Sequence, residues 1–442
     1  MRTPASLLLA ACLIAPSLRG APEEGFTDIL PGEGLAGWRG GDTFDHRKLM
    51  EMPADKRAAK IDQWNKAAQQ HWRPEGSGAD RHLFTTGKGP CLATLKDYGD
   101  IDFRIDYRIS PKGDSGIYLR NVPQVQIWDP EHQDAWKHGA KLGSGGLWNN
   151  SGGKPGKDPV VRADKPAGEW NSLRVLQLGE RVTVWLNGQQ VVDHARLENF
   201  YDRSRPIPAS APLLLQSHGD PVLWRNARIR EIPGEEANAA LAAKDEAGFQ
   251  PVFDGKSLAG WKGALDNYEV VDGAIRCKKG KGGTIFTEKA YADFALRLEF
   301  RLPKGGNNGL ALRYPGKGNP AYDGFIECQV LDDNYETATG SKIDLRQAHG
   351  SAYGLVAAAC GYQRPVGQWN FQEVTLVGKR LKVELNGTLI LDADLGKVDL
   401  TKAMGNAKHP GLGLASGHIG FAGHNDPVEF RSIRVREIAA EK

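Results

Sequence analysis

The chain writes one core twice, and this restricts its possible folds more than any other feature. "TLKDYGDIDFRIDYRISPKGDSGIYLR" (Thr94 to Arg120) aligns without a gap on "TEKAYADFALRLEFRLPKGGNNGLALR" (Thr287 to Arg313), an offset of 287 − 94 = 193. "GEWNSLRVLQLGERVTVWLNGQQVVD" from Gly168 aligns on "GQWNFQEVTLVGKRLKVELNGTLILD" from Gly367, and "HGDPVLWRNARIREI" from His218 on "HNDPVEFRSIRVREI" from His424. A period near 200 residues is far above the roughly 20–50 of solenoids and propellers. Each copy must therefore be a complete domain, and 442 residues are enough for two separate cores.

Both copies read as β-structure. "DFRIDYRI" (Asp102 to Ile109) and "FALRLEFRL" (Phe294 to Leu302) alternate apolar and polar residues with period two. Asn187-Gly188 and Asn386-Gly387 each divide two such runs, the pattern of a hairpin whose turn needs two positive φ angles. Many short strands joined by hairpin turns predict an all-β chain of two tandem antiparallel sandwiches. The domains are expected at residues 25–232 and 249–438. The Ala/Glu-rich stretch 233–248 joins them as a linker with some helical character. One helix is predicted, from Pro53 to about His71, with Ile61, Trp64 and Ala68 on a narrow apolar stripe. It is read as a clip packed on the first sandwich, with a lid over a site as the sharper alternative.

Residues 1–20 have the form of an export signal: Arg2, then the short apolar run "ASLLLAACLIAP", then small residues. The implied location is periplasmic or extracellular. A lipid anchor on Cys12 is the weaker alternative. No later run is apolar enough to span a membrane as a helix. A formal net charge of +3 with no basic block argues against a nucleic-acid partner. Cys91, Cys277, Cys328 and Cys360 do not match between the copies, so a shared disulfide framework is not expected. Buried free thiols are the simpler reading, with one bridge in the second domain left open.

Three places in each copy could carry chemistry. Arg120 and Arg313 end equivalent strands, where a guanidinium could bind carboxylate or hydroxyl oxygens or simply close a salt bridge. On the next strand, read as a central one, Gln124 and Gln126 share a face, as do Glu327 and Gln329. Asp129 and Asp332 end it. The third place is a Gly-rich loop that carries Trp148 in one copy and His349 and Tyr353 in the other. His218 and His424, in matching turns, could act as bases or as turn caps. No copy offers two carboxylates on one strand face, so ordinary two-carboxylate glycoside hydrolysis fits poorly. His132/His138 and His418/His424 are each six apart, too weak a signal to assign a metal.

Taken together, "FDGKSLAGW", "NNGLALR", "FIECQVLDD", "GQWN" and "HNDPVEFRSIRVREI" in copy two resemble the 3-keto-disaccharide hydrolase family. Its members are also described as 3-keto-glucoside 1,2-lyases and 3-keto-2-hydroxyglucal hydratases. In copy one "DSGIYLR", "QVQIWD", "GEWN" and "HGDPVLWRNARIREI" carry the same resemblance. It implies a concanavalin A-like jelly roll and a 3-keto-glycoside substrate. It also implies a functional link to a sugar 3-dehydrogenase and no certain cofactor, with a divalent metal left open. The implied chemistry is C2 deprotonation, 1,2-elimination and hydration. On this basis Glu327, His424, Arg313, His218 and Arg120 are the catalytic candidates, and Asp129 is a further base candidate. Gln329, Asp332, Tyr353, His349, Gln124, Gln126, Asp129 and Trp148 are the binding candidates. The alternative is a non-catalytic tandem lectin-like protein. Because Gln124 stands where copy two has Glu327, one copy is expected to lack that base.

Overall fold

The computed structural model describes residues 24–439, so the expected export signal and Cys12 lie outside the described residues. The chain forms two β-sandwiches, each an eight-stranded sheet facing a five-stranded one. Every strand pair is antiparallel, and the two sandwiches are tandem jelly rolls. The first draws its strands from between Thr27 and Glu231, the second from between Gln250 and Glu437.

Alternation builds each core. In copy two, Leu310, Leu312, Cys328, Val330 and Phe421 of the small sheet meet Leu296, Leu298, Phe300, Val374 and Phe430 of the large one. Phe421 and Phe430 stack at 3.9 Å between centroids. The opposite face of each small sheet carries polar side chains, beside a small apolar cluster of Cys91, Ala93, Tyr118 and Leu214 in copy one. Asn187-Gly188 and Asn386-Gly387 make the predicted turns, with φ of 50° and 82° in the first and 50° and 78° in the second.

The predicted helix spans Ala54–His71 and buries Trp64 and Ala68. It lies directly on the strand Trp38–Gly41. A Cβ on Gly40 would stand 2.3 Å from the Trp64 backbone, and the Gly40 N–H donates to Asn65 Oδ1 at 2.8 Å. It is thus a clip on an outer strand of the small sheet. The linker forms a helix, Gly234–Ala243, whose Ala237 and Leu241 pack with Leu178 and Ile232 of the first copy and Phe371 of the second. Short helices also occur at His46–Glu51 and at Tyr335–Thr339, the latter in copy two.

The copies are joined tightly. The Asn386-Gly387 hairpin tip of copy two docks on copy one, where the Glu180 N–H donates to the Gly387 carbonyl at 3.0 Å. The buried Glu180 carboxylate accepts from the N–H groups of Ile207 and Leu389, both at 3.1 Å. Arg181 pairs with Glu384 across the same seam. Cys91, Cys277, Cys328 and Cys360 are all free thiols, and only Cys360 is exposed. No described helix is long and apolar enough to cross a membrane.

Candidate carbohydrate site

In copy two the strand Ile326–Leu331 turns Glu327, Gln329 and Leu331 to the polar face of the small sheet and Ile326, Cys328 and Val330 to the core. The strand is at the sheet edge rather than central. Its open side is closed by the following loop. Gln329 N–H donates to the Ser351 carbonyl, Gly350 N–H to the Gln329 carbonyl, and Tyr353 N–H to the Glu327 carbonyl, at 3.0, 2.8 and 3.0 Å. This zipper sets Tyr353 beside Glu327. Copy one repeats it, with the Trp148 N–H donating to the Gln124 carbonyl at 3.2 Å.

Each zipper borders a cavity, of about 320 Å³ in copy two and 330 Å³ in copy one. Both lie at the small end of ligand pockets, which run from roughly 300 to 1,000 Å³. Glu327, Gln329, Tyr353 and His424 surround the copy-two cavity. Gln124, Gln126, Trp148 and His218 surround that of copy one. A glycine lies against the first residue of each set. A Cβ on Gly309 would stand 2.0 Å from Glu327 Oε1, and one on Gly116 would stand 2.4 Å from Gln124 Oε1.

Glu327 is only 4% exposed and forms no salt bridge among the described residues. Burial alone pushes its pKa up to about 8, because the anion loses water and gains no cation. The Gln329 amide is satisfied with its nitrogen facing the Asn308 carbonyl at 3.1 Å and Glu327 Oε1 at 3.0 Å. The Tyr353 hydroxyl accepts from Gln347 Nε2 at 3.0 Å, which leaves its own proton free to donate. His424, on the rim, has its pKa lowered by burial against the opposing pull of Asp426.

The arginines are elsewhere. Arg313 Nη2 lies 2.6 Å from Asp293 Oδ1, Nε donates to the Ala292 carbonyl at 2.7 Å and Nη1 to that of Gly378 at 2.8 Å. Arg120 repeats the pattern with Asp100 at 2.9 Å and the Gly99 and Pro208 carbonyls at 3.3 Å. Neither lines a cavity described above, so the expected pocket role for Arg120 and Arg313 is corrected to a buried brace. The cause is backbone conformation. Both take positive φ, 51° and 46°, which breaks the alternation that would have kept them on the pocket face.

Three further expectations are corrected. Asp129 accepts the N–H groups of Lys112 and Glu131, and Asp332 those of Gly305 and Asn334, at 2.8–3.0 Å. Both carboxylates pin turns and face away from the cavities. His349 is in the core, 4.8 Å from Phe300 between ring centroids, with burial lowering its pKa to about 4.

Sequence reasoning missed Asn319 and Tyr322, which line the copy-two cavity from a loop absent in copy one. Copy one passes from Arg120 to Gln124 in 4 steps and copy two from Arg313 to Glu327 in 14. It also missed Tyr118, Phe200 and Asp114 in copy one. His138 borders that cavity, but among the described residues no group of three His, Cys, Asp or Glu side chains could hold a metal ion.

Each jelly roll thus carries, on the same face of its small sheet, a cavity lined by amide, carboxylate and aromatic side chains, and the family match places this duplicated chain among carbohydrate-active proteins. Residues 25–230 and 248–436 match the 3-keto-alpha-glucoside-1,2-lyase-like domain, and the chain belongs to that family. It is similar to a 3-keto-disaccharide hydrolase of Bacteroides thetaiotaomicron, with 27% identity over 245 residues covering 47% of this chain and 84% of that protein. A structure from Parabacteroides distasonis ATCC 8503, described as a candidate glycosyl hydrolase, aligns with 23% identity and a TM-score of 0.37, over 47% of this chain and 99% of its own. A carbohydrate-binding module from Bacillus subtilis aligns with 13% identity and a TM-score of 0.27, over 40% of this chain and 96% of its own.

Proposed function

We propose that the copy-two pocket cleaves 3-keto-glycosides by elimination, with Glu327 as the base. The observation that carries this reading is one buried, unpaired carboxylate facing a small polar cavity. A ketone at C3 acidifies the C2 hydrogen, so one base suffices where a glycosidase needs two opposed carboxylates. Glu327 takes the C2 proton, and the electron pair moves onto the C3 oxygen as an enolate. The Tyr353 hydroxyl donates to that oxygen. The enolate then re-forms the ketone as the C1–O bond breaks, leaving a C1=C2 double bond. The leaving oxygen takes the proton back from the Glu327 carboxyl, which regenerates the base. Water adding back, hydroxyl to C1 and proton to C2, completes a net hydrolysis. Gln329 and Asn319 hold hydroxyls. The substrate must be supplied by a dehydrogenase that oxidises C3 of a glucoside.

The test is Glu327→Gln in the full chain, assayed for aglycone release from a 3-keto-glucoside across pH 5–9. The expected result is loss of the part of turnover that rises towards pH 8, with sugar affinity retained. An unchanged rate and pH profile would overturn the assignment. Binding of unoxidised glycans with no aglycone release by the unsubstituted chain would favour a lectin-like protein instead.

A further inference from the structure

The two cavities hold the same kinds of side chain in exchanged positions. Asp114 and Asn307 are equivalent, since 307 − 114 = 193, the offset of the gapless repeat. Gln124 and Glu327 are the other equivalent pair, set by the matching zippers. Copy two has amide then carboxylate (Asn307, Glu327), and copy one has carboxylate then amide (Asp114, Gln124). Each cavity also keeps one glutamine, Gln329 or Gln126. The carboxylate has therefore moved by one strand, and copy one has not simply lost it.

In its new place the carboxylate has new partners. Asp114 Oδ2 lies 3.4 Å from His218 Nδ1, and Asp114 Oδ1 accepts from Gln126 Nε2 at 2.7 Å. In copy two no carboxylate occupies this place, and the backbone N–H of Asn307 instead donates to Asp426 at 3.2 Å. The His218 side chain is 59% exposed at the cavity rim, so its second nitrogen is open to a ligand. A carboxylate fixing one imidazole nitrogen while the other faces the reacting group is a recurrent proton-transfer arrangement. Gln124 lines the same cavity, and its Oε1 is buried over Gly116 without a partner.

We propose that copy one is a second catalytic pocket in which His218, positioned by Asp114, is the base in place of the missing glutamate. This rests on the reaction proposed above, acting on the same class of 3-keto sugar. His218 Nε2 takes the C2 proton, the pair moves to the C3 oxygen, and the proton returns either to C2 or to the departing oxygen. The charged and titratable groups near His218 are Asp114, Asp220 and, lining the same cavity, Tyr118 and His138. Hydrogen bonding to Asp114, partly offset by burial, raises the His218 pKa, and Asp220 adds to the rise.

Base action is read directly by exchange of the C2 hydrogen of a 3-keto-glucoside in D2O, followed by proton NMR with the full chain. Glu327→Gln is expected to leave residual exchange, and adding His218→Gln to reduce that residue by at least ~10²-fold, the usual worth of a general base. Adding Asp114→Asn instead should move the acid limb of the residue to lower pH, because the histidine loses the anion that favours its cation. A purely structural aspartate would not shift that limb. Residual exchange indifferent to His218→Gln, or no residue at all in Glu327→Gln, overturns this inference while leaving the copy-two assignment standing. No exchange and no cleavage in the unsubstituted chain overturns both.

Discussion

Glu327 makes one prediction that needs no substrate. Its pKa, ordinarily 4.5, stands at about 8 in the folded chain. A carboxyl whose folded pKa is raised binds its proton more tightly when native than when unfolded. Between the two values stability therefore falls as pH rises. Below pH 4.5 both states are protonated and the site costs nothing. Above pH 8 both are ionised and the cost is constant. Each pH unit between is worth about 1.4 kcal/mol, so at neutral pH the native state gives up on the order of 3 kcal/mol. Glu327→Gln keeps the shape and removes the ionisation. At pH 7 it should stabilise the second sandwich by a few kcal/mol, roughly 5–10 °C in Tm for a domain of this size. At pH 4.5 it should change almost nothing. The assay is thermal unfolding of the two proteins at pH 4.5, 6, 7 and 8.5. A difference in Tm that stays flat with pH refutes the argument. The variant should be the more stable and the less active, which is the signature of a functional group held at a cost.

The other expectations are simpler. Arg313→Ala leaves the half-buried Asp293 without its cation and the Ala292 and Gly378 carbonyls without their donor, and should destabilise by about 1–3 kcal/mol, while sugar affinity of the folded protein is kept; thermal unfolding and calorimetric titration separate the two. Gly309→Ala places a Cβ 2.0 Å from Glu327 Oε1, so the carboxylate must move; a displacement near 1 Å should cost roughly 10²-fold in kcat, measured by aglycone release. Tyr353→Phe removes the donor to the enolate oxygen and should lower kcat by about 10²–10³-fold with KM little changed. A thiol reagent on the native chain should modify Cys360 quickly and Cys91, Cys277 and Cys328 only on unfolding.

The scaffold was legible because its signals are local and repeated. Asn-Gly turns, period-two strands and the Trp64/Ala68 stripe each act through near neighbours in sequence. The pairing of Glu327 with Gln329 on one face followed from the same alternation. What alternation cannot report is its own failure. Arg120 and Arg313 take positive φ without being glycine, and nothing in "SGIYLR" or "NGLALR" announces this. His349 looked like a loop residue because the loop folds inward against Phe300, a contact decided by the opposite sheet. Tyr322 stayed hidden for another reason. Its loop has no counterpart in the first copy, so internal comparison had nothing to set beside it.

The duplication also separates support from chemistry. Arg120 and Arg313 brace against Asp100 and Asp293, whose carboxylates each also take an N–H, from Gly179 or Gly378, at 2.8 Å. Asp129 and Asp332 pin the same turns. The arginine–aspartate pairing and the turn-pinning carboxylates recur in both copies because removing one partner leaves a charged or polar group with little water to replace it. Asp100 alone also meets Arg364 of the other copy, at 3.4 Å. The cavity side chains obey no such constraint. They also border open space, so Asp114 can answer Asn307, Gln124 can answer Glu327 and Trp148 can answer Tyr353 within the same sandwich frame. A shared brace beneath unlike pockets is the pattern expected if one frame serves two different sites, and loss of the remaining exchange on adding His218→Gln to Glu327→Gln is the result that would make both of them proton-transfer sites.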